Sequence, residues 1–125
     1  MPNNVMSKKF LIVEDDMIIS MVTKRQVESL GHKVVQSVRS GIDAINAAKI
    51  HNPDIILMDI RIVGTMDGIE AMEEIMKFSN AKAIYISGNS EPATKLRAQK
   101  TNMLAFCTKP MSMEDLKLVM EENGM

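Results

Sequence analysis

The chain has 125 residues, with fifteen basic and sixteen acidic side chains and a formal net charge of -1, so it has the length of one domain and lacks the basic excess that suits a nucleic-acid partner. Its single cysteine excludes an internal disulfide framework and a cysteine-based zinc cage, and fits a reducing cytoplasm. Apolar runs such as Phe10–Val13 and Ile55–Met58 stop at acids, far short of the roughly 20 residues that span a bilayer, and no signal peptide is visible, so a soluble cytoplasmic domain with no membrane partner is expected.

Phe10 to Val13 reads as a strand buried on both faces. Asp16 can cap a helix over about Met17 to Leu30, with Ile18, Ile19, Val22 and Leu30 inward and Gly31 ending it. Lys33 to Val38 is the second strand. Ser40 caps a second helix carrying Ile42, Ile45 and Ala48 at helical spacing, stopped by Asn52-Pro53. Ile55 to Met58 is a third buried strand, and a loop containing Gly64 follows it. Gly68 to Phe78 is a helix with Ile69, Met72 and Met76 on one stripe and Ile75 beside it. Ala83 to Ile86 is the fourth strand, and Ser87 to Ser90 is turn chemistry. Pro92 opens a fourth helix to about Thr101, Leu104 to Cys107 is the fifth strand, and Ser112 caps a last helix carrying Met113, Leu116, Val119 and Met120 at i, i+3, i+6 and i+7. Buried strands alternating with amphipathic helices predict an α/β fold, a parallel sheet covered by helices on both faces.

In such sheets ligands bind beyond the carboxyl ends of the strands. The first strand ends in Glu14-Asp15-Asp16, the third in Asp59, the fourth in Ser87 and the fifth in Lys109-Pro110. Taken singly, Asp59 reads as turn chemistry, Asp16 as a helix cap, Asp67-Gly68 as a loop-to-helix signal and Lys109-Pro110 as a turn that admits a cis bond. Taken together they crowd carboxylates into one crevice. At an effective dielectric near 20, two carboxylates about 4 Å apart repel by roughly 4 kcal/mol, so the set demands a counter-charge. Hard oxygen ligands suit Mg²⁺, and Lys109 and Ser87 can meet phosphoryl oxygens.

These residues resemble the receiver domain of two-component response regulators over nearly the whole chain. The resemblance rests on Leu11-Ile12-Val13-Glu14-Asp15-Asp16, Pro53-Asp54-Ile55-Ile56-Leu57-Met58-Asp59, Met66-Asp67-Gly68-Ile69-Glu70, Ser87 and Thr108-Lys109-Pro110. It implies a doubly wound, flavodoxin-like five-stranded sheet in the order 2-1-3-4-5 with five helices. It implies that Asp59 accepts a phosphoryl group from a histidine kinase or histidine phosphotransfer protein. Mg²⁺ would be held by Asp15 directly, by Glu14 through water, by Asp59 and by the backbone carbonyl of Arg61. Ser87 matches the switch hydroxyl, Lys109 the family lysine and Phe106 the aromatic switch position. The chain would be a phosphoprotein switch rather than an enzyme, a monomer or weak dimer with no output domain, read by a downstream protein target.

The sequence departs from the commonest family pattern in three places. The stretch from Asp59 to Asp67-Gly68 is one residue longer, with Val63 where proline is frequent. Phe106 replaces the common tyrosine, and Arg61 and Asn89 stand where the family tunes phosphoryl lifetime. Other readings are a receiver excised from a hybrid kinase or larger regulator, and a pseudo-receiver that only binds partners. A flavodoxin-like FMN protein is disfavoured by acids after the first strand. A haloacid-dehalogenase-like phosphatase is disfavoured because Asp59-Ile60-Arg61 lacks the second aspartate. Of the thirteen methionines, Met72, Met76 and Met120 read as core, and a flexible docking surface at Met103, Met111 and Met113 is the less favoured of the readings open for those three. Cys107 reads as a buried small hydrophobe, and His32 and His51 as surface residues.

Overall fold

A computed structural model describes residues 7–88 and 91–125. Five strands, β1 (Lys9–Val13), β2 (Lys33–Val38), β3 (Ile55–Asp59), β4 (Lys82–Ser87) and β5 (Met103–Thr108), alternate with five helices, α1 (Met17–Ser29), α2 (Gly41–His51), α3 (Gly68–Ile75), α4 (Pro92–Gln99) and α5 (Met113–Glu122). All strand pairs are parallel, in the order β2-β1-β3-β4-β5. The fold is therefore the doubly wound α/β sheet expected. Asn89, and with it the second half of the turn beginning at Ser87, lies outside the described residues.

Helix boundaries follow local chemistry. Asp16 caps α1 by accepting from the amides of Ile18 and Ile19. Asn52, in the left-handed region at φ 46°, ends α2 before Pro53. Asp67 and Ser112 each form a reciprocal capping box, with Glu70 and Asp115. Two apolar layers flank the sheet. One joins Leu11, Ile56, Met58, Ile69, Met72 and Tyr85; the other joins Phe10, Ile12, Leu57, Ile84, Leu116 and Met120.

Several inward assignments are corrected by the packing. Ile18, Ile19 and Val22 are 74%, 40% and 51% exposed; the buried residues of α1 are Thr23 and Val27. Ile42 is likewise exposed, and the buried residues of α2 are Gly41, Ala44, Ala47 and Ala48. In both helices the buried stripe carries the smaller side chains, Thr23 and Val27 in α1 and the glycine and alanines in α2. Met111 belongs to the core rather than to a docking surface, while Met103 and Met113 are half-buried. Met72 and Met120 are core, and Met76 is half-buried against it. Cys107 is only half-buried. His32 is buried, not exposed: its Nδ1 accepts from the Lys8 amide at 2.9 Å and its ring lies 5.4 Å from that of Phe10.

Candidate functional site

Parallel register delivers the polar strand ends to one rim. Val13 pairs with Met58, Asp59 with Ile86 and Ser87 with Thr108, so Glu14, Asp59, Ser87 and Lys109 stand at the same edge. The ladder continues past the strands: Glu14 N–H donates to the Val38 carbonyl at 2.9 Å and Lys109 N–H to the Ser87 carbonyl at 2.8 Å.

Glu14 and Asp59 are buried and Asp15 is half-buried, and one carboxylate oxygen from each lies within 4.8 Å of the others. Lys109 Nζ reaches Asp59 Oδ2 at 2.8 Å and Glu14 Oε1 at 3.4 Å. Asp59 Oδ1 accepts from the Arg61 amide at 3.1 Å, and Glu14 Oε2 from the Asp16 amide at 3.0 Å. Burial pushes the Glu14 carboxyl above the usual carboxylate value, helped by the Asp59 charge and resisted by the Asp16 amide and Lys109. Burial pulls the Lys109 ammonium down, but its hydrogen bond and attraction to Asp59, together with Glu14, outweigh this and hold it above the usual lysine value. Three hard-oxygen donors facing one ammonium are undercompensated, and that donor set fits a divalent cation such as Mg²⁺.

The predicted residues Glu14, Asp15, Asp59, Ser87 and Lys109 thus meet at one rim, and Arg61 joins them through its backbone N–H. Asp16 is a helix cap. The Lys109–Pro110 bond is cis. Phe106 sits farther along β5, half-buried, 6.4 Å from the Tyr85 ring and under Lys95 Nζ. Tyr85 is fully buried, and its hydroxyl bonds Thr101 Oγ1 at 2.7 Å; burial pushes its pKa up to about 12.

Two contributors lay outside the sequence reading. Gly68 packs against the backbone of Asp59 and Ile60, with room for no side chain, and its N–H donates to the Ile60 carbonyl at 2.8 Å. The Asp-Gly pair was legible as a helix start, but close approach is a tertiary fact. Asp67, besides capping α3, pairs with Arg97 Nη2 of α4 at 3.1 Å. The longer loop is held at its middle, where Val63 bridges Ser40.

A family model described as the response regulator receiver domain matches residues 10–121. The chain is 36% identical over 106 residues to the chemotaxis protein CheY of Thermotoga maritima, covering 84% of this chain and 88% of that one. It is 29% identical over 109 residues to the transcriptional regulatory protein PdtaR of Mycobacterium tuberculosis, covering 87% of this chain but 53% of PdtaR, so it spans about half the length of that relative. Among solved structures, the signal receiver domain of a modulated diguanylate cyclase from Desulfovibrio desulfuricans superposes with a TM-score of 0.84 at 30% identity, over 93% of this chain and 92% of that one.

Proposed function

The chain belongs to the response regulator receiver domain family, and we propose that within two-component signalling it works as a phosphoacceptor switch with Asp59 as the acceptor. The observation that carries this reading is the Lys109 ammonium held 2.8 Å from Asp59 and 3.4 Å from Glu14, beside a cluster of three carboxylates.

An Asp59 carboxylate oxygen forms a bond to the phosphorus of a phosphohistidine donor. The phosphorus–nitrogen bond breaks, and its electron pair stays on the donor imidazole. The donor is a histidine kinase or a histidine phosphotransfer protein. Glu14, Asp15, Asp59 and the Arg61 carbonyl would hold Mg²⁺, which supplies charge neutralisation of the transferring group when bound. Lys109 neutralises a phosphoryl oxygen, and Ser87 donates its hydroxyl to another. Phosphorylation adds roughly 1.5–2 negative charges by analogy with phosphoserine. Hydrogen bonds to charged groups contribute about 1.5–3 kcal/mol each, so two can supply the roughly 5.5 kcal/mol that moves a switch from 1:99 to 99:1. Phe106 follows by repacking against Tyr85, and a downstream protein reads the changed face. The chain works in the cytoplasm, as a monomer or weak dimer. No helix among the described residues is long and apolar enough to cross a membrane.

Fluorine NMR of the protein with Mg²⁺ and beryllofluoride tests the site. Bound resonances that vanish in Asp59→Asn and with EDTA are expected; no bound resonance in the native chain would contradict the reading.

A further inference from the structure

Lys109 has a long way to reach. β5 lies at one edge of the sheet and β4 separates it from β3, yet the Lys109 ammonium meets Asp59 at the end of β3 at 2.8 Å and Glu14, just past β1, at 3.4 Å. A lysine on its flexible stem keeps such a position only if its backbone is held. On the strand side the Lys109 N–H donates to the Ser87 carbonyl at 2.8 Å. Pro110, which follows, has no N–H to anchor the chain. Beyond it, the Met111 carbonyl accepts from Gln26 Nε2 at 3.2 Å, a bond between residues 85 positions apart.

Gln26 belongs to α1, so this bond ties the two ends of the rim together. α1 starts directly after the acids: Asp16 caps it, and the Asp16 N–H donates to Glu14. Roughly three turns later, α1 brings Gln26 to the turn between β5 and α5, where it lines one groove with Lys109, Pro110 and Met111. β1 and β5 are not neighbours in the sheet, so the link runs over the sheet face rather than through its ladder. The arrangement is a poor device for stability. With Nε2 committed to Met111, Gln26 Oε1 is buried where no group among the described residues donates to it, and a buried acceptor left unmet carries a desolvation penalty. An apolar side chain of the same length avoids that penalty and gives up the tether.

We propose that Gln26 is a positioning residue for Lys109: by holding the Met111 carbonyl, it fixes the backbone from which the ammonium reaches Asp59. The tether stands on the geometry alone; that a loosened Lys109 weakens phosphoryl binding rests on the phosphoacceptor reading.

The test compares the native chain with Gln26→Met, which lacks the donor, and Gln26→Asn, which keeps the amide but is one methylene too short to meet the carbonyl. Nitrogen-15 relaxation of the lysine ammonium groups reads the tether directly. The Lys109 ammonium is expected to be ordered in the native chain and to loosen in both variants towards the mobility of exposed Lys100. Beryllofluoride affinity in Mg²⁺, followed by fluorine NMR, should fall about fivefold, the factor one hydrogen bond supplies. Mg²⁺ affinity without fluoride should stay within about twofold, because Glu14, Asp15 and Asp59 are untouched. In a Lys109→Ala background Gln26→Met should add nothing, the mark of two residues acting through one contact. Val119→Ala opens a cavity in the same apolar layer, which lowers stability and should leave the Lys109 ammonium and beryllofluoride affinity as in the native chain. An unchanged Lys109 ammonium in both Gln26 variants, equal loosening in Val119→Ala, an equal fall in Mg²⁺ affinity, or a Gln26→Met effect that persists without Lys109 would each overturn the proposal. A native chain that binds no beryllofluoride would contradict the phosphoacceptor reading instead, and the ammonium relaxation would still decide the tether.

Discussion

Gly68 and Asp59 meet backbone to backbone: a methyl group on Gly68 would collide with the Asp59 carbonyl oxygen and press on Met58 and the Ile60 Cα. The position of Asp59 at the end of β3 is therefore set by the start of α3. Gly68→Ala is expected to destabilise the fold by about 1–3 kcal/mol, the usual range for overpacking. Gly88→Ala, where a Cβ meets nothing within 4 Å, should stay within about 0.5 kcal/mol. Urea denaturation of the two variants makes the comparison; equal effects would mean the contact is not restrictive.

The three clustered carboxylates predict that Mg²⁺ raises thermal stability. At one hundred times the dissociation constant, a ligand that binds only the folded state adds about 2.7 kcal/mol. Asp59→Asn removes one of the donors, so its stabilisation by the same Mg²⁺ concentration should be smaller, and EDTA should abolish both gains. Calorimetry of the two proteins across a Mg²⁺ series measures this.

Asp67 serves two partners, capping α3 and pairing with Arg97. Arg97 is 47% exposed, so losing the pair alone through Arg97→Ala should cost only about 0.2–1 kcal/mol. Asp67→Ala also removes the cap, worth about 1 kcal/mol more. Denaturation of both single variants and the double variant separates the two contributions, and equal costs for the single variants would contradict the double role.

Burial, and secondarily the Lys8 charge, hold the His32 pKa below its ordinary value of 6.5. Its Nδ1 is an acceptor for the Lys8 amide, and the groove beside it carries Lys117 and Glu121. Protonation would place an N–H against an N–H. Because the unfolded chain takes up the proton first, stability is full above pH 6.5 and falls as pH drops from there towards the lower folded value. His32→Gln should flatten that slope between pH 7.5 and 5.5, and urea midpoints across the range report it.

The strands and the rim were legible because they depend on short, contiguous signals. Apolar runs ended by acids mark β1 and β3, and parallel connection then forces Glu14, Asp59, Ser87 and Lys109 to one edge. Facing was harder to read. In α1 the run Met17 to Val22 offers apolar residues all around the helix, and Thr23 and Val27, beyond that run, are the buried pair. His32 reads as a surface residue in the sequence; the Lys8 amide that satisfies its ring nitrogen lies 24 positions away. Gly68's collision with Asp59 and the reach of Arg97 to Asp67 likewise exist only once the chain has folded.

The most direct test of the central claim is the intact mass of the protein after incubation with Mg²⁺ and a small acyl-phosphate donor, with Asp59→Asn alongside. A gain of one phosphoryl group in the native chain, absent in the variant and in the presence of EDTA, is the predicted result. An unchanged mass in the native chain, or an equal gain in Asp59→Asn, would contradict the assignment of Asp59 as the acceptor.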